Sequence, residues 1–326
     1  MVACAIDGDI IDAVRQFRSS SRRAIYDISV VRALQRLGAR VHLVSVSEPA
    51  GETLQELICL RPGLVFNLAF SATPGEPAFA GALELLGIPF TGSGGFAIGL
   101  ANDKVRSRQL IRASGIRVPP FVVIRQGTGS DSLDLEPPFI VKPVQLGNSQ
   151  GIRVGSVVDT REKATAQADR IWRRFQMPSV CDAFIVGREF QVGLIERRNS
   201  FNVTGIVELH FVGSPPGRGF KSECFKSQGE LRRAYDYTIS PARLPKRKLA
   251  EMATISRHAA AVLDIRGYAK VDMRMDGQGR IFVIEVNANP GLWSRSVIWN
   301  RGGFAENIRR IMVAANSTTW GLSTYR

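Results

Sequence analysis

Two strand-like segments near the carboxyl end place acidic and amide side chains close together. Residues 269–275 and 281–287 are largely apolar and are joined by Asp-Gly-Gln-Gly, which predicts a β-hairpin. Successive side chains of a strand point to opposite faces, so Asp272 on the first strand can share a face with Glu285 and Asn287 on the second. Carboxylate and amide oxygens are the ligands that Mg²⁺ prefers, and the hairpin therefore predicts a magnesium site.

The register of this hairpin decides how near the carboxylates come. If the turn pairs Met275 with Arg280, Asp272 lies opposite Val283, and Glu285 is its diagonal neighbour at about 7–8 Å. A half-exposed hairpin with a solvated acidic face is the alternative interpretation. It explains Asp272 well and Glu285 poorly, because Glu285 lies in an otherwise apolar strand where burying an unpaired carboxylate is costly.

A second segment, residues 139–151, combines an apolar strand, one lysine and a loop of small residues. The strand carries Lys142, and the backbone N–H groups of the following Gly/Ser loop are able to close over a phosphate. The segment is not a Walker A sequence, because Gly-Lys-Ser/Thr is missing. A flexible surface loop explains the same residues equally well.

A third segment, residues 181–190, has the character of a hinge between two lobes. An apolar slot with backbone hydrogen bonds suits adenine, and a nearby carboxylate such as Glu189 suits the ribose hydroxyls. A domain linker with a surface Arg–Glu pair is the competing interpretation, and this segment alone does not decide between them.

Taken in the order of the chain, the three segments resemble the ATP-grasp superfamily, and within it most closely the D-alanine–D-alanine ligases. The resemblance extends over about residues 60–300 and includes further short motifs. These are Leu-Val-Phe-Asn at 64–67, Gly-Glu at 75–76, the segment 83–94, Asn-Asp-Lys at 102–104, Pro-Ala at 241–242 and Asn-Ala-Asn-Pro-Gly at 287–291. The resemblance implies a fold in which two lobes clasp ATP.

The resemblance also implies which residues bind the nucleotide and its ions. The nucleotide contacts would be made by Lys104, Lys142, Ser149, Asp182, Ala183, Ile185 and Glu189. Two Mg²⁺ ions, or Mn²⁺ in their place, would be held by Asp272, Glu285 and Asn287. The same three metal ligands follow from the hairpin pattern.

The residues implied in the reaction itself lie in the carboxyl-terminal half, with one exception. Lys226 would reach the γ-phosphate from a mobile loop, Lys270 would steady the transferring phosphoryl group, and Gly291 would donate its backbone N–H near the reacting carbonyl. Ser296 would hold the carboxylate of the second substrate, and Glu76 belongs to the substrate side of the site.

Several positions depart from the family pattern. Residue 227 is Ser where the family has Tyr, residue 148 is Asn where it has Ser, and the usual His before Gly-Glu is Ser71. Lys270 replaces an Arg and so lacks the planar bidentate fork. The amino-terminal Glu motif for the first substrate has only a loose substitute at residues 7–9. These changes argue against D-alanine as the first substrate.

The resemblance predicts an ATP-dependent carboxylate–amine ligase. It would form an amide or dipeptide bond through an acyl phosphate, using small carboxylate and amine substrates that are most naturally amino acids. A catalytically inactive, ATP-binding regulatory protein of the same fold is the alternative. Family members are often dimeric, so a homodimer is compatible with the resemblance.

The positioning elements predict a mixed α/β and α+β architecture in three parts. Residues 1–98 alternate strands and helices, which predicts a parallel sheet covered by helices. Residues 99–187 form a central α+β lobe, and residues 188–326 form a carboxyl-terminal lobe that carries the metal site. Within them we expect Asn102 to cap a helix over 103–113, a strand at 152–154 and a loop over 212–236.

Composition narrows the classes of function. The 326 residues carry a net charge of +14, but the basic residues are dispersed and no recognition motif accompanies them, so nucleic-acid binding is not expected. No apolar run reaches the roughly 18–20 residues needed to span a bilayer, and the start is too short and acidic for a signal peptide. We therefore expect a cytoplasmic enzyme without membrane contact.

Overall fold

A computed structural model gives the architecture of most of the chain. It describes residues 1–7, 22–47, 49–69, 75–127, 129, 133–147, 149–198, 200–222, 225–227, 230–232, 236–292 and 303–317. Their regular structure consists of three large sheets, a two-stranded ribbon and helices, and apart from Gly187 each large sheet draws on one of the three predicted parts of the chain. The domain boundaries themselves stay a prediction.

The amino-terminal sheet is parallel, as the sequence predicts. Strands β1 (Val2–Asp7), β2 (Val41–Val46) and β3 (Leu64–Asn67) lie in the order β2-β1-β3. Helices α1 (Arg22–Arg36) and α2 (Gly51–Leu60) make the crossover connections. The two faces of β1 are buried in different clusters, with Ala residues on one face and Cys and Ile on the other, so helices cover both faces.

Three consecutive helices lead from this sheet to the central lobe. They are α3 (Gly75–Leu85), α4 (Gly95–Asn102) and α5 (Lys104–Ala113). Asn102 ends α4 and does not cap α5, so that prediction is wrong. Asp103 is the N-cap, because its carboxylate accepts from the backbone N–H groups at the second and third positions of α5.

The central lobe is an antiparallel sheet backed by one helix. Strands β4 (Phe121–Ile124), β5 (Phe139–Pro143), β6 (Val157–Val158) and β7 (Ser179–Ala183) lie in the order β4-β7-β5-β6. Helix α6 (Arg161–Phe175) packs Ala and Ile side chains against β5.

The strand predicted at 152–154 is not formed. A turn of 3₁₀-helix, Val154–Ser156, occupies the end of this segment, and β6 begins only after it. The Ser156 hydroxyl accepts from the backbone N–H of Arg153 and fixes this turn. Local side-chain hydrogen bonds of this kind compete with strand pairing.

The carboxyl-terminal lobe is built on five antiparallel strands. They are β8 (Gly187–Arg197), β9 (Ser200–Val212), β12 (Asp236–Pro241), β13 (Tyr268–Asp276) and β14 (Ile281–Asn287), in the order β12-β9-β8-β13-β14. Helix α7 (Lys246–Val262) covers one face, and on the other face Ile195, Val207 and Tyr268 are buried in one cluster with residues of β1.

The segment predicted as a loop over 212–236 contains short strands. Strands β10 (Phe225–Ser227) and β11 (Glu230–Arg232) form a two-stranded antiparallel ribbon. The remaining described part, residues 213–222, carries neither helix nor strand. The loop prediction therefore holds for the first part of this segment and fails for the ribbon.

The last described helix, α8 (Phe304–Ser317), returns to the amino-terminal sheet. Its Ile308 and Ile311 are fully buried in one cluster with Ile6 of β1 and Leu34 of α1. The two ends of the chain therefore share a core. Among the described helices, none is both long and apolar enough to cross a bilayer.

The contact between α3 and α4 gives a test of this packing. A Cβ on Gly95 would lie 2.5 Å from the Pro77 carbonyl oxygen and 2.8 Å from the Gly81 nitrogen, whereas a Cβ on Gly99 would meet no atom closer than 3.6 Å. We expect Gly95→Ala to lower the free energy of unfolding by about 1–3 kcal/mol, because backbone must move.

The matched control is Gly99→Ala in the same helix. Alanine is favoured over glycine in a helix interior by up to about 1 kcal/mol, so this variant should be neutral or stabilising. Urea unfolding of both variants measures the difference. Equal stability of the two variants would contradict the close approach of the helices.

Candidate functional site

A pocket opens between the central lobe and the carboxyl-terminal sheet. It is open to solvent, and its space, solvent included, is about 710 Å³. Nine of the residues predicted from the sequence line it: Lys104, Lys142, Ser149, Asp182, Ala183, Ile185, Glu189, Asp272 and Glu285. Segments up to about 180 residues apart in the chain therefore meet here.

One end of the pocket is apolar. Phe184 and Phe220 meet edge to face with ring centroids 6.3 Å apart, and Ile140 is buried in the same cluster. Ile152 and Ile284 also line the pocket. Such a slot accepts a flat ring, and backbone groups of the hinge lie at its edge.

The floor of the pocket is a buried ion triad. Asp182 on β7 pairs with Arg108 of α5 and, at 2.6 Å, with Lys142 of β5. All three side chains are nearly inaccessible to solvent. Burial opposes ionisation of Asp182, yet the two cations hold its pKa below the ordinary value, so the carboxylate stays charged.

Two lysines project from this floor. Lys104 is the first residue of α5, its backbone N–H donates to the Val144 carbonyl at 3.0 Å, and its Nζ donates to the Leu146 carbonyl at 2.5 Å. Burial lowers the pKa of Lys104 to about 8, although Glu285 opposes the shift. Burial also lowers the pKa of Lys142. An anion that enters the pocket would therefore stabilise the charged form of both amines.

The opposite wall carries the predicted metal ligands. Asp272 and Glu285 form a direct cross-strand pair, and Asn287 donates to Glu285 at 3.3 Å and lies 3.5 Å from an Asp272 oxygen. Lys270 donates to both Asp272 oxygens at 2.7–2.8 Å. The structure thus brings Asp272, Glu285, Asn287 and Lys270 together.

The register of this pair differs from the prediction. Asp272 faces Glu285 rather than Val283, because the turn pairs Met275 with Ile281 and a bulge follows Asp272. The extra residue of the bulge is Ile284. Its carbonyl accepts two hydrogen bonds from Arg108, at 3.0 and 3.2 Å, so the floor of the pocket fixes the bulge.

The electrostatics of the two carboxylates suit a divalent cation. Burial raises the pKa of Asp272 against the pull of Lys270, and neighbouring Glu285 raises it further. Burial also opposes ionisation of Glu285, but Lys104 and Lys270 hold its pKa far below the ordinary value. The described residues contain no cluster of three His, Cys, Asp or Glu, so two carboxylates and an amide would need phosphate or water oxygens to complete a Mg²⁺ shell.

Glu189 lies on the same face, at the apolar end of the pocket. Its Oε2 accepts from the guanidinium of Arg274 at 2.7 Å. Ala183 and Ile185 line the pocket beside it, and Ser149 lines it from the loop after β5. Ser149 has a positive φ of 59°, in the left-handed region.

Four predicted site residues remain: Glu76, Gly291, Lys226 and Ser296. Glu76 on α3 accepts from Asn102 at 3.1 Å and from Asn289 at 3.2 Å, and Gly291 follows closely in the chain after Asn289. The structure gives only the backbone of Lys226, in β10. Ser296 lies outside the described residues.

Three cations of the site were not predicted from the sequence. Arg108 was detectable as the residue one turn after Lys104 on the same helix face. Arg274 shares the strand face with Asp272, a pattern visible in the sequence. Lys221 lines the pocket, and although burial disfavours its charge, Tyr237 and Asp272 raise the pKa of Lys221; no sequence signal singled it out.

Comparison with known proteins agrees with this geometry. The model of the family "D-ala D-ala ligase C-terminus" matches residues 110–304. The chain is 32% identical to a D-alanine–D-alanine ligase of Citrifermentans bemidjiense over 77% of this chain and 79% of that one. It is 33% identical to a D-alanine–D-alanine ligase of Chromohalobacter salexigens over 83% and 80% of the two chains.

The fold is also shared with a solved enzyme. A crystal structure of D-alanine–D-alanine ligase from Bacillus anthracis complexed with ATP superimposes with a TM-score of 0.73 at 18% identity, covering 97% of this chain and 96% of that one. The predicted ATP-grasp fold, with mixed α/β and α+β parts, is therefore confirmed. The family match and the two relatives together show that the chain belongs to the D-alanine–D-alanine ligase family.

Proposed function

We propose that this protein is an ATP-dependent ligase that joins the carboxylate of one amino acid to the amine of another. The observation that carries the proposal is the convergence of lysines and paired carboxylates in one pocket beside an apolar slot. The relatives named D-alanine–D-alanine ligase support the same class of reaction.

The nucleotide would lie with its base in the apolar slot and its phosphates toward the lysines. Lys104 and Lys142 would contact phosphate oxygens, and Ser149 would cover them from its loop. Asp182 is occupied by two cations, so we propose that it acts by orienting Lys142. Ala183, Ile185 and Glu189 would contact the base and ribose.

Asp272, Glu285 and Asn287 would hold the divalent cations, two Mg²⁺ or Mn²⁺ ions. A divalent cation supplies Lewis-acid stabilisation of phosphate charge when it is bound. The donor set fits this use, because it consists of hard oxygens that leave coordination positions for phosphate. The ammonium group of Lys270 would give up one of its two hydrogen bonds to Asp272 and turn toward the transferring phosphoryl group.

The reaction would proceed in two steps. A carboxylate oxygen of the first substrate attacks the γ-phosphorus of ATP, the bond to the bridging oxygen breaks, and ADP leaves. The amine of the second substrate then attacks the acyl carbon, phosphate departs with the C–O bond electrons, and the amine loses a proton. Lys226 would approach the γ-phosphate, Gly291 would donate its N–H to the carbonyl, and Ser296 would hold the second carboxylate. Exclusion of water protects the acyl phosphate from hydrolysis.

We further propose that the first substrate is not D-alanine. Glu76 is held by two amides, Asn102 and Asn289, and residue 227 is Ser where the family has Tyr. An inactive ATP-binding regulator would have less use for paired carboxylates at the phosphate end, so the ligase is the better supported of the two functions.

The function is tested by mixing amino acids in pairs with ATP and Mg²⁺. We expect ADP release that depends on both a carboxylate donor and an amine acceptor, with the condensed product visible by mass spectrometry. The D-alanine pair should give a lower rate than the best pair. ADP release that does not depend on the added amino acids would contradict the ligase, and ATP binding without any ADP release would favour the regulator.

A second test addresses the carboxylate wall. Glu285→Gln preserves shape but removes the charge that offsets two lysines, so we expect kcat to fall by about two to three orders of magnitude or more. Glu306→Gln on α8 is the matched control, because Glu306 is paired only with surface arginines. Retained turnover in Glu285→Gln would remove this residue from the metal site.

A third test uses the lowered pKa of Lys104. An amine with a pKa near 8 is charged below that pH and loses its charge as the pH rises through it. Bound phosphate favours the charged amine, so the Kd for ATP should rise above pH 8 by up to roughly tenfold per pH unit. Calorimetry at pH 7, 8 and 9 measures this, and Lys104→Arg, whose charge persists, should flatten the rise. An equal rise in both proteins would assign it to another group.

A further inference from the structure

Arg274 is a buried arginine whose donors all face the walls of the pocket. Its side chain is 4% exposed. Its Nε donates to the Ile185 carbonyl at 2.7 Å, one terminal nitrogen donates to Glu189 at 2.7 Å and to the Gly219 carbonyl at 2.8 Å, and the other donates to the Gly187 and Gly217 carbonyls at 2.9 Å. The five N–H donors of a guanidinium are thus matched by five acceptors.

Four of these acceptors are backbone carbonyls of two separate segments, and the fifth is the carboxylate of Glu189 in β8. Residues 184–187 are the hinge between the lobes, and residues 213–222, which we term the strap, follow β9. The Gly187 N–H also donates to the Gly217 carbonyl at 2.9 Å. Arg274 therefore joins the strap to the hinge at a point where both border the nucleotide pocket.

The glycines of this junction are required by its close approach. A Cβ on Gly219 would lie 2.4 Å from the Phe211 side chain, and a Cβ on Gly187 would lie 2.1 Å from the Met275 carbonyl. Gly217 and Gly187 also have φ values of 67° and 154°, which L side chains rarely adopt. The strap is thus shaped to dock on the guanidinium.

Beyond the junction, the strap reaches the central lobe. Phe220 packs edge to face on Phe184 and closes the apolar end of the pocket. Arg218 pairs with Asp159, in the segment after β6, at 3.1 Å. The strap therefore contacts both lobes, and the two hydrogen bonds from Arg274 to the Gly217 and Gly219 carbonyls are part of its attachment to the carboxyl-terminal lobe.

We propose that Arg274 is a positioning residue that sets nucleotide specificity, by docking the strap as one wall of the base slot and by fixing Glu189 for the ribose. The guanidinium of Arg274 donates to Oε2 of Glu189. Oε1 would then accept a hydrogen bond from a ribose hydroxyl. Loss of the guanidinium frees the strap and lets Glu189 rotate, so both base and ribose contacts weaken. The role in nucleotide specificity rests on the proposed function, whereas the docking of the strap does not.

The test compares Arg274→Met with Arg280→Met, an exposed arginine on the same hairpin that pairs with Asp276. Hydrogen exchange of the nucleotide-free protein is measured for the strap and hinge peptides. We expect exchange at least about tenfold faster in both peptides of Arg274→Met, as for the loss of a charge-assisted hydrogen bond, and no change in Arg280→Met. Peptides of β1–β3 should exchange as in the wild type.

Gly219→Ala covers the case in which Arg274→Met does not fold. It keeps the buried charge and pushes the strap off Phe211, so the strap peptide should again exchange faster. Unchanged exchange in the strap of either variant, or equal acceleration throughout the protein, would overturn the docking role.

Specificity is read from the Kd values of ATP and 2′-deoxy-ATP. Arg274→Met should bind ATP about tenfold more weakly and 2′-deoxy-ATP with a smaller loss, so the preference for ribose shrinks. Arg274→Lys keeps the charge without the fork and should restore little of that preference. An unchanged preference in both variants overturns the specificity role. A wild-type protein that binds neither nucleotide overturns the proposed function, and the exchange data then still decide how the strap is held.

Discussion

The position of Asp182 between Arg108 and Lys142 is the interaction on which the pocket depends. Buried ions are tolerated only when they are paired and hydrogen-bonded, because removal of one partner leaves an uncompensated charge in the low-dielectric protein interior. Each member of the triad comes from a different element, β7, α5 or β5, so these elements cannot shift independently. Arg108 extends the constraint to the other lobe through the Ile284 carbonyl. One buried carboxylate thus sets the distance between the lysine floor and the carboxylate wall.

The result is a pocket with charges of opposite sign on facing walls. Burial lowers the pKa of Lys104 and Lys142, while nearby lysines keep Glu285 ionised. A polyphosphate with divalent cations would stabilise both walls better than water does. Its anionic phosphates would match the lysines, and its cations would match the carboxylates. The desolvated charges therefore favour a ligand of that composition over a neutral one, and the apolar slot at the far end adds a place for a flat base.

The sequence predicts the strands and the shared face of the hairpin, because alternation along a strand is a local property. It does not predict that Asp272 and Glu285 are directly opposed, because the bulge after Asp272 is fixed by Arg108, more than 150 residues away in the chain. The contacts of Arg274 are not predicted either, because four of its five acceptors are backbone carbonyls, which carry no side-chain signal. The shift of the helix cap from Asn102 to Asp103 is a local error, since both residues are good caps.

Glu76 is linked to two other elements of the structure by hydrogen bonds from Asn102 and Asn289. Asn289 donates to Glu76 and to the Ala69 carbonyl, and it accepts from the Tyr268 hydroxyl at 2.5 Å, so its side-chain amide ties the loop before Gly291 to the amino-terminal part and to β13. Burial, together with the charge of Glu76, raises the pKa of Tyr268, which keeps its hydroxyl a donor. An amide at position 289 offers both a donor and an acceptor, and here both are used. Through Asn289, Glu76 therefore links α3 to the loop before Gly291.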